Sequence, residues 1–396
     1  MAVASILQNR TFLGLLTANT ILGAAFPMQL ILGGLAGLML APNPGLATLP
    51  SSVQTLAGLV AAAPFSLFMG RMGRRAGFAL GGLMTFVGAI AAVQALYSGS
   101  FALLCVAHFL MGAGWASFQY FRFAAGEVVE TSLRPVAISL MLTSLLIAAI
   151  GGPQVFVAAK DALAPIPFAG AYVAVAVVAV LGLLPLAAVR MPLSARAPRA
   201  ANTGRFAALA ALRRRPVQRA IGIAAVSQGI MVFLMIPTPI AMIACGFSET
   251  AASDVVRWHI VAMFAPSFVT GFLIQRFGAH TIAKCGLATI LAAAGFAALG
   301  ISAAHFYGAL IVLGLGWNFS FIGATTMLAA AVPDTEKAAV LGANDTIIAL
   351  VSTVCAFGAG FVVSSLGWTV LAMISGGVVL LVVAALALDR SPPLEA

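Results

Sequence analysis

Apolar runs of about 20 residues or more follow one another from end to end of this 396-residue chain. A run of that length, wound as a helix, crosses a hydrocarbon layer about 30 Å thick. Inside lipid no water satisfies a backbone amide, so only helices and closed barrels can span it. The runs lack the alternating ten-residue pattern of a membrane barrel strand, which leaves a helical bundle. Composition agrees, because 62% of residues are hydrophobic and only 8% charged, against about a quarter charged in a soluble chain. The expected fold is an all-α membrane protein, with no room for a large soluble domain between the runs.

The pattern predicts twelve spans, at 11–39, 46–69, 77–97, 101–126, 135–158, 168–189, 217–243, 253–274, 281–302, 305–331, 339–364 and 367–388. The first begins behind Arg10 and has no small-residue cleavage site after a short apolar core, so it reads as a retained helix and not a signal peptide. The net charge of +10 is unevenly placed. Arg10, Arg71, Arg74, Arg75, Arg134, Arg190, Arg196, Arg199, Arg205, Arg213, Arg214, Arg215, Arg219, Arg276, Lys284, Lys337 and Arg390 fall at the ends or in every second loop, whereas the intervening loops offer only Lys160. By the positive-inside rule both termini and the 190–219 loop face the cytoplasm, as expected of a multi-pass protein of a bacterial inner membrane. The basic excess is thus a topology signal; the expected surroundings are membrane lipid, with no nucleic-acid partner. Cys105, Cys245, Cys285 and Cys355 are scattered without CxxC spacing and form no disulfide framework.

The chain repeats itself. "MGAGWASF" at 111–118 and "LGLGWNFS" at 313–320 share a GxGW core at an offset of 202, and "SLFMGRMGRR" at 66–75 echoes "GFLIQRFGAH" at 271–280 at an offset of 205. Two echoes at nearly one offset mean a duplication, dividing the chain into a six-helix half at 1–189, a basic linker at 190–216 and a second six-helix half at 217–396. This organisation resembles the major facilitator superfamily along the whole chain. That family's cytoplasmic signature between its second and third helices, roughly GxLxDRxGRR, is kept here at Arg71, Gly73, Arg74 and Arg75, but its acidic position is Gly70, and Gln275 in the second half. The family's RxxxG pattern becomes His108 to Gly112, without the arginine often linked to proton coupling. The resemblance makes Arg71, Arg74, Arg75 and Arg276 candidates for a cytoplasmic gate; Arg122, Glu127 and Asp345, ionisable groups near the inner ends of spans, are candidates for gate contacts between the halves or for a proton path.

Met231 and Met235 lie one helical turn apart in span seven, and His259 and Met263 repeat that spacing in span eight. Counting about 1.5 Å per residue from the loop that joins the spans sets Met235 near the depth of His259 and Met231 near that of Met263. If the two faces meet, three thioethers and an imidazole converge. Thioethers favour soft ions, Cu(I) above all, and neither donor type carries a charge that is costly to bury. Chance supplies roughly half a Met-x-x-x-Met pair and a third of a His/Met pair in such a composition, so the coincidence of both on neighbouring spans carries the signal. The same residues also fit a packing role, with methionine filling a core and His259 bonding a backbone carbonyl. Pro237 and Pro239 follow the thioethers and predict a helix break. Asp254 and Arg257, three apart, are expected to pair.

MxxxM in the seventh helix followed by HxxxM in the eighth resembles the CcoA-type copper importers within the superfamily. That resemblance implies a metal set of Met231, Met235, His259 and Met263, with Cys245 as an auxiliary metal or thiol position. It also implies a copper ion, Cu(I), as the transported substrate, a cytoplasmic copper acceptor, and a role in cbb-type cytochrome oxidase assembly. "FRFAAGE" at 121–127, "GWNFSFIG" at 316–323 and "GAND" at 342–345 are similar to a wider group that includes riboflavin transporters. The expected function is copper import by alternating access. Its rivals are a proton-coupled transporter of a small organic molecule such as riboflavin or a drug, and a copper receptor that binds without transport. No nucleophile–base pair or cofactor loop points to an enzyme.

Overall fold

The computed structural model describes residues 6, 8–130, 133–189, 191 and 210–388. Arg190, Arg196, Arg199 and Arg205 of the expected linker, and Arg390, lie outside the described residues. Among the described residues all regular structure is helical. The helices are α1 (Arg10–Leu40), α2 (Leu49–Met72), α3 (Arg74–Ser98), α4 (Phe101–Phe118), α5 (Phe121–Glu127), α6 (Arg134–Ala159), α7 (Ala169–Ala188), α8 (Arg215–Met235), α9 (Thr238–Ala244), α10 (Glu249–Phe264), α11 (Ser267–Phe277), α12 (Ala279–Leu299), α13 (Ala303–Ala331) and α14 (Asp334–Leu388).

These helices follow the expected spans, with three differences. Span four, expected unbroken over 101–126, divides at Gln119 and Tyr120 into α4 and α5. Span eight, expected unbroken over 253–274, divides at Ala265 and Pro266 into α10 and α11, because Pro266 has no N–H to continue the ladder. Spans eleven and twelve share the 55-residue α14, interrupted at Gly367 with φ 85° and ψ 173°. At about 1.5 Å per residue α14 is more than twice as long as the hydrocarbon layer is thick, so it counts as two spans meeting at Gly367. The outer surface is apolar, with Leu67, Phe272, Leu299 and Leu381 largely exposed. Such a surface is stable only under lipid.

The chain forms two compact units, Met1–Ala197 with Glu249–Arg257, and Pro198–Ser248 with Trp258–Ala396. The expected halves differ from these in one segment: Glu249–Arg257, expected with the second half, groups with the first. The first unit is built on Phe12, Leu15, Leu22, Phe78 and Phe121, all fully buried or nearly so. The second has a cluster around Val217, Ala220, Leu328 and Val340.

Both sequence echoes have structural causes. Gly73 (φ 90°) links α2 to α3, and Gly278 (φ 83°) links α11 to α12. Side chains with a Cβ are disfavoured in that region, so each turn requires glycine. In GxGW the glycines are contact points. A Cβ on Gly112 would strike the Gln54 backbone of α2, and one on Gly314 the His259 carbonyl of α10. A Cβ on Gly114 would meet the Gly81 carbonyl of α3 at 2.6 Å, and one on Gly316 the Ile290 amide of α12 at 2.7 Å. In each unit the fourth span thus presses its first motif glycine on the second span and its second on the third.

Candidate functional site

The thioether helix breaks where its prolines require. α8 ends at Met235, Ile236 and Pro237 form a turn, and α9 starts at Thr238 with Pro239 in its first turn. Pro237 and Pro239 supply no N–H to the Phe233 and Met235 carbonyls. The Thr238 hydroxyl donates to the Leu234 carbonyl at 2.7 Å, satisfying one acceptor at the break. Met231 and Met235 are 5% and 6% exposed. Every residue from Gly229 to Met242 is buried, however, so α8 is enclosed on all sides here and burial alone marks no special face.

His259 is fully buried and hydrogen-bonded on one side only. Its Nδ1 lies 2.7 Å from the Leu310 carbonyl of α13. A carbonyl only accepts, so Nδ1 carries the proton and Nε2 presents a lone pair. Nε2 has no hydrogen-bond partner among the described residues. Met263, 7% exposed, lies one turn on. Its carbonyl accepts from Asn318 Nδ2 at 2.7 Å, and the same amide nitrogen donates to the Ser267 hydroxyl at 2.7 Å. The Thr270 hydroxyl donates to Asn318 Oδ1 at 2.6 Å. Buried Asn318 thus fastens both sides of the α10–α11 break to α13.

One face of α13 anchors both donor helices. Leu310, Gly314 and Asn318 meet α10 and α11 in ascending order, so α13 and α10 run parallel. Trp317, on the same face, donates its Nε1–H to Gln228 Oε1 of α8 at 2.7 Å. α8 runs opposite to α13, so seven residues beyond Gln228 bring Met235 to the level of Leu310, where His259 docks. The duplication gives a second register. In the first unit Gln54 Nε2 donates to Gln29 Oε1 at 3.2 Å. Phe26 and Gln228 both meet the motif tryptophan of their unit, at an offset of 202. Carried to the second unit, Gln29 falls on Met231 at that offset, and Gln54 falls on His259 at the offset of 205 shown by the other echo. Among the described residues no three His, Cys, Asp or Glu side chains gather as a metal-ligating group, so any metal set here depends on thioethers.

The sequence reading missed a polar chain in the first unit. Because Gln54 Nε2 donates to Gln29, its Oε1 accepts from His108 Nδ1–H at 2.8 Å, and His108 Nε2 accepts from the Tyr172 hydroxyl at 2.8 Å. All four residues are buried. They come from α1, α2, α4 and α7, so spacing along the chain could not group them, although a buried glutamine, histidine and tyrosine inside apolar runs were each visible.

The remaining expected residues are less concentrated. Cys245 is a half-buried free thiol at the end of α9. Arg74 and Glu127, taken from the sequence as candidates for a gate between halves, form an ion pair at 2.8 Å within the first unit, and the guanidinium also lies 5.6 Å from the Tyr120 ring. Arg75 donates to the Ala187 carbonyl at 2.9 Å, fastening α3 to the end of α7. Arg122 and Arg276 each rest over the next ring in sequence, Phe123 at 4.8 Å and Phe277 at 5.4 Å. Arg71 is exposed, and exposed Asp345 accepts from neighbouring Asn344. Asp254 and Arg257 form the expected ion pair.

Residues 220–396 match the family described as Major Facilitator Superfamily. Over 383 residues the chain is 37% identical to the riboflavin transporter RfnT of Brucella anthropi, a match covering 96% of this chain and 95% of that relative. It is 30% identical over 379 residues to the uncharacterized MFS-type transporter YdeG of Bacillus subtilis, covering 91% of this chain and 87% of the relative. Among solved structures it resembles the nucleoside transporter NupG with a TM-score of 0.73 at 13% identity, covering 96% of this chain and all of NupG, which is a likeness of fold alone.

Proposed function

We propose a function from one premise: this chain belongs to the Major Facilitator Superfamily. It is therefore a multi-pass membrane transporter and not an enzyme. Its cargo is a small organic molecule, with riboflavin the first candidate. The observation that carries this reading is the 37% identity to a riboflavin transporter, sustained along nearly the whole of both chains. The protein lies in the inner membrane with both termini cytoplasmic, as the alternation of basic loops suggests. It works by alternating access, with Arg71, Arg122, Arg276 and Asp345 near the cytoplasmic ends of spans serving the gate. Uptake of labelled riboflavin by a flavin auxotroph expressing the chain tests the cargo. Accumulation above the empty-vector level supports it, and vector-level uptake with the protein in the membrane rejects it.

One observation favours the second reading, Cu(I) import. His259 holds its Nδ1 proton on a carbonyl and keeps a buried, unpartnered Nε2, as a ligating histidine does. None of the relatives named above is described as moving copper. Cellular copper in a strain expressing the Met231→Leu, His259→Ala double variant decides it: a fall to the level of the empty vector supports copper as cargo, and an unchanged level at equal protein abundance removes it.

A further inference from the structure

The two motif tryptophans are placed alike but partnered differently. In the first unit Trp115 stacks on Phe26, with ring centres 4.1 Å apart and planes at 14°, an apolar contact that closes one indole face. In the second unit the residue at the place of Phe26 is Gln228, an amide near the middle of a membrane-spanning helix. Trp317 is held by three neighbours. Its N–H is bonded to Gln228, Phe321 lies parallel at 4.8 Å and 16°, and Phe264 meets it edge-on at 6.1 Å and 73°. Its rotamer is therefore fixed before any ligand arrives.

The bond to Trp317 also orients Gln228. An indole N–H only donates, so the amide oxygen faces the ring and the NH2 group points away from it. Gln228 and Trp317 are both half-exposed, and among the described residues that NH2 has no protein acceptor. Two unused donors within a membrane span are costly in hydrocarbon, and such groups face a bundle interior or a wet cavity. Among the described residues no charged side chain shares the contacts that Trp317 and Gln228 make.

We propose that Trp317 and Gln228 form a binding subsite for a neutral, planar heteroaromatic ring bearing carbonyl or ring-nitrogen acceptors on one edge. The ring lies against the indole, and the Gln228 NH2 donates to its acceptor edge. An amide and an indole carry no charge to pair with a phosphate or a carboxylate, so the group held here is neutral. The subsite rests on the organic-cargo reading above and specifies which part of such a cargo is recognised.

The test is a fluorescence-quenching titration of the purified full chain in lipid nanodiscs with riboflavin, with its bare ring analogue lumichrome, and with ribitol. Trp317→Leu and Gln228→Leu each weaken riboflavin and lumichrome by about tenfold or more, as loss of a stacking plate or of a donor pair does. Trp317→Phe keeps a stacking plate but not the N–H that orients Gln228, so it weakens both ring ligands less than Trp317→Leu does, and ribitol does not compete. Thermal unfolding of each variant confirms that it is folded; should Trp317→Leu fail to fold, the Gln228→Leu and Trp317→Phe pair still decides. Wild-type affinity for both ring ligands in folded Trp317→Leu and Gln228→Leu overturns the subsite while leaving riboflavin as cargo. Trp317-dependent binding of another planar carbonyl-bearing ring, with none of riboflavin, supports the subsite and removes riboflavin as cargo. Failure of every such ring to bind the wild-type chain overturns the subsite.

Discussion

Gln54 and His259 stand at equivalent points of the two halves, 205 residues apart, each buried under the first glycine of a GxGW motif and each bonded to the fourth span of its half. Gln54 meets the His108 ring, whereas His259 meets the Leu310 carbonyl, and Leu310 is the counterpart of His108 at the motif's own offset. The duplication has kept the contact and changed the chemistry on both sides of it.

This equivalence separates scaffold from ligand chemistry at His259. A glutamine there retains an N–H for the Leu310 carbonyl, as Gln54 shows a glutamine fits the matching place, but has no imidazole lone pair. His259→Gln should unfold within a few degrees of wild type. His259→Leu should lose about 0.5–1.5 kcal/mol, the net worth of the bond, because the Leu310 carbonyl inside α13 keeps its helical partner. Thermal unfolding in detergent checks the order. If copper is the cargo, His259→Gln also abolishes copper accumulation; if riboflavin is, its uptake persists.

Gly314 admits no side chain without moving α10. Gly314→Ala should destabilise the chain by about 1–3 kcal/mol, the range for overpacking a tight contact. Gly222→Ala is the control, because a Cβ there meets open space. A Gly314→Ala variant as stable as Gly222→Ala would show that the helices separate freely.

Restoring N–H groups at the α8–α9 break should straighten it. A Pro237→Ala, Pro239→Ala variant allows the ladder to run through Ile236, where an interior proline otherwise costs about 3 kcal/mol. The expected result is an unchanged or raised unfolding temperature with slower transport. Wild-type transport rates in that variant would mean that the break is not used in the cycle.

The Arg74–Glu127 pair is partly exposed, with 20% and 35% of the two side chains accessible, so it contributes about 1 kcal/mol or less. Glu127→Gln should cost that amount at low salt and less at high salt. Exchanging the charges in an Arg74→Glu, Glu127→Arg variant should recover most of it. A loss of transport that the exchange does not repair would assign one of these residues a role beyond pairing.

Lys160 lies between α6 and α7, 2.7 Å from Asp161 and 2.9 Å from Glu249. Hydrogen bonds to Asp161 first and Glu249 second raise its pKa above the ordinary 10.5. A lysine raised in the folded state stabilises fully below its unfolded value and loses that contribution as pH rises through the folded value. Unfolding temperature should therefore not respond to this group between about pH 6 and pH 9, and should fall at higher pH in wild type more than in Lys160→Met. Equal alkaline profiles would show that the contact adds nothing.

Much of the fold was legible because hydrocarbon imposes one rule on every span. Length and apolarity gave the helices to within a few residues, the prolines at 237 and 239 gave the α8–α9 break, and the echoes gave the duplication. Pro266 offered the same signal for the α10–α11 break, but an apolar run continues through it and hydropathy is blind to a missing N–H. The candidate site was legible only in part. Four-residue spacing finds side chains that share one helix face, as with Met231 and Met235, yet Gln228 and Trp317 are 89 residues apart and His108 and Tyr172 are 64 apart. Pairings across helices depend on rotation about each helix axis, which no local pattern encodes. Arg74 and Glu127 show the same limit for charges: their place at the ends of spans was visible, but their choice of each other was not.

The glycines of the duplicated GxGW stretch have one further consequence. They record how closely three rods must approach and say nothing about what passes beside them. Carriers for unrelated cargoes can therefore share that signature through steric necessity, and clues to selectivity are better sought where the ancestral copies disagree, as Phe26 and Gln228 do.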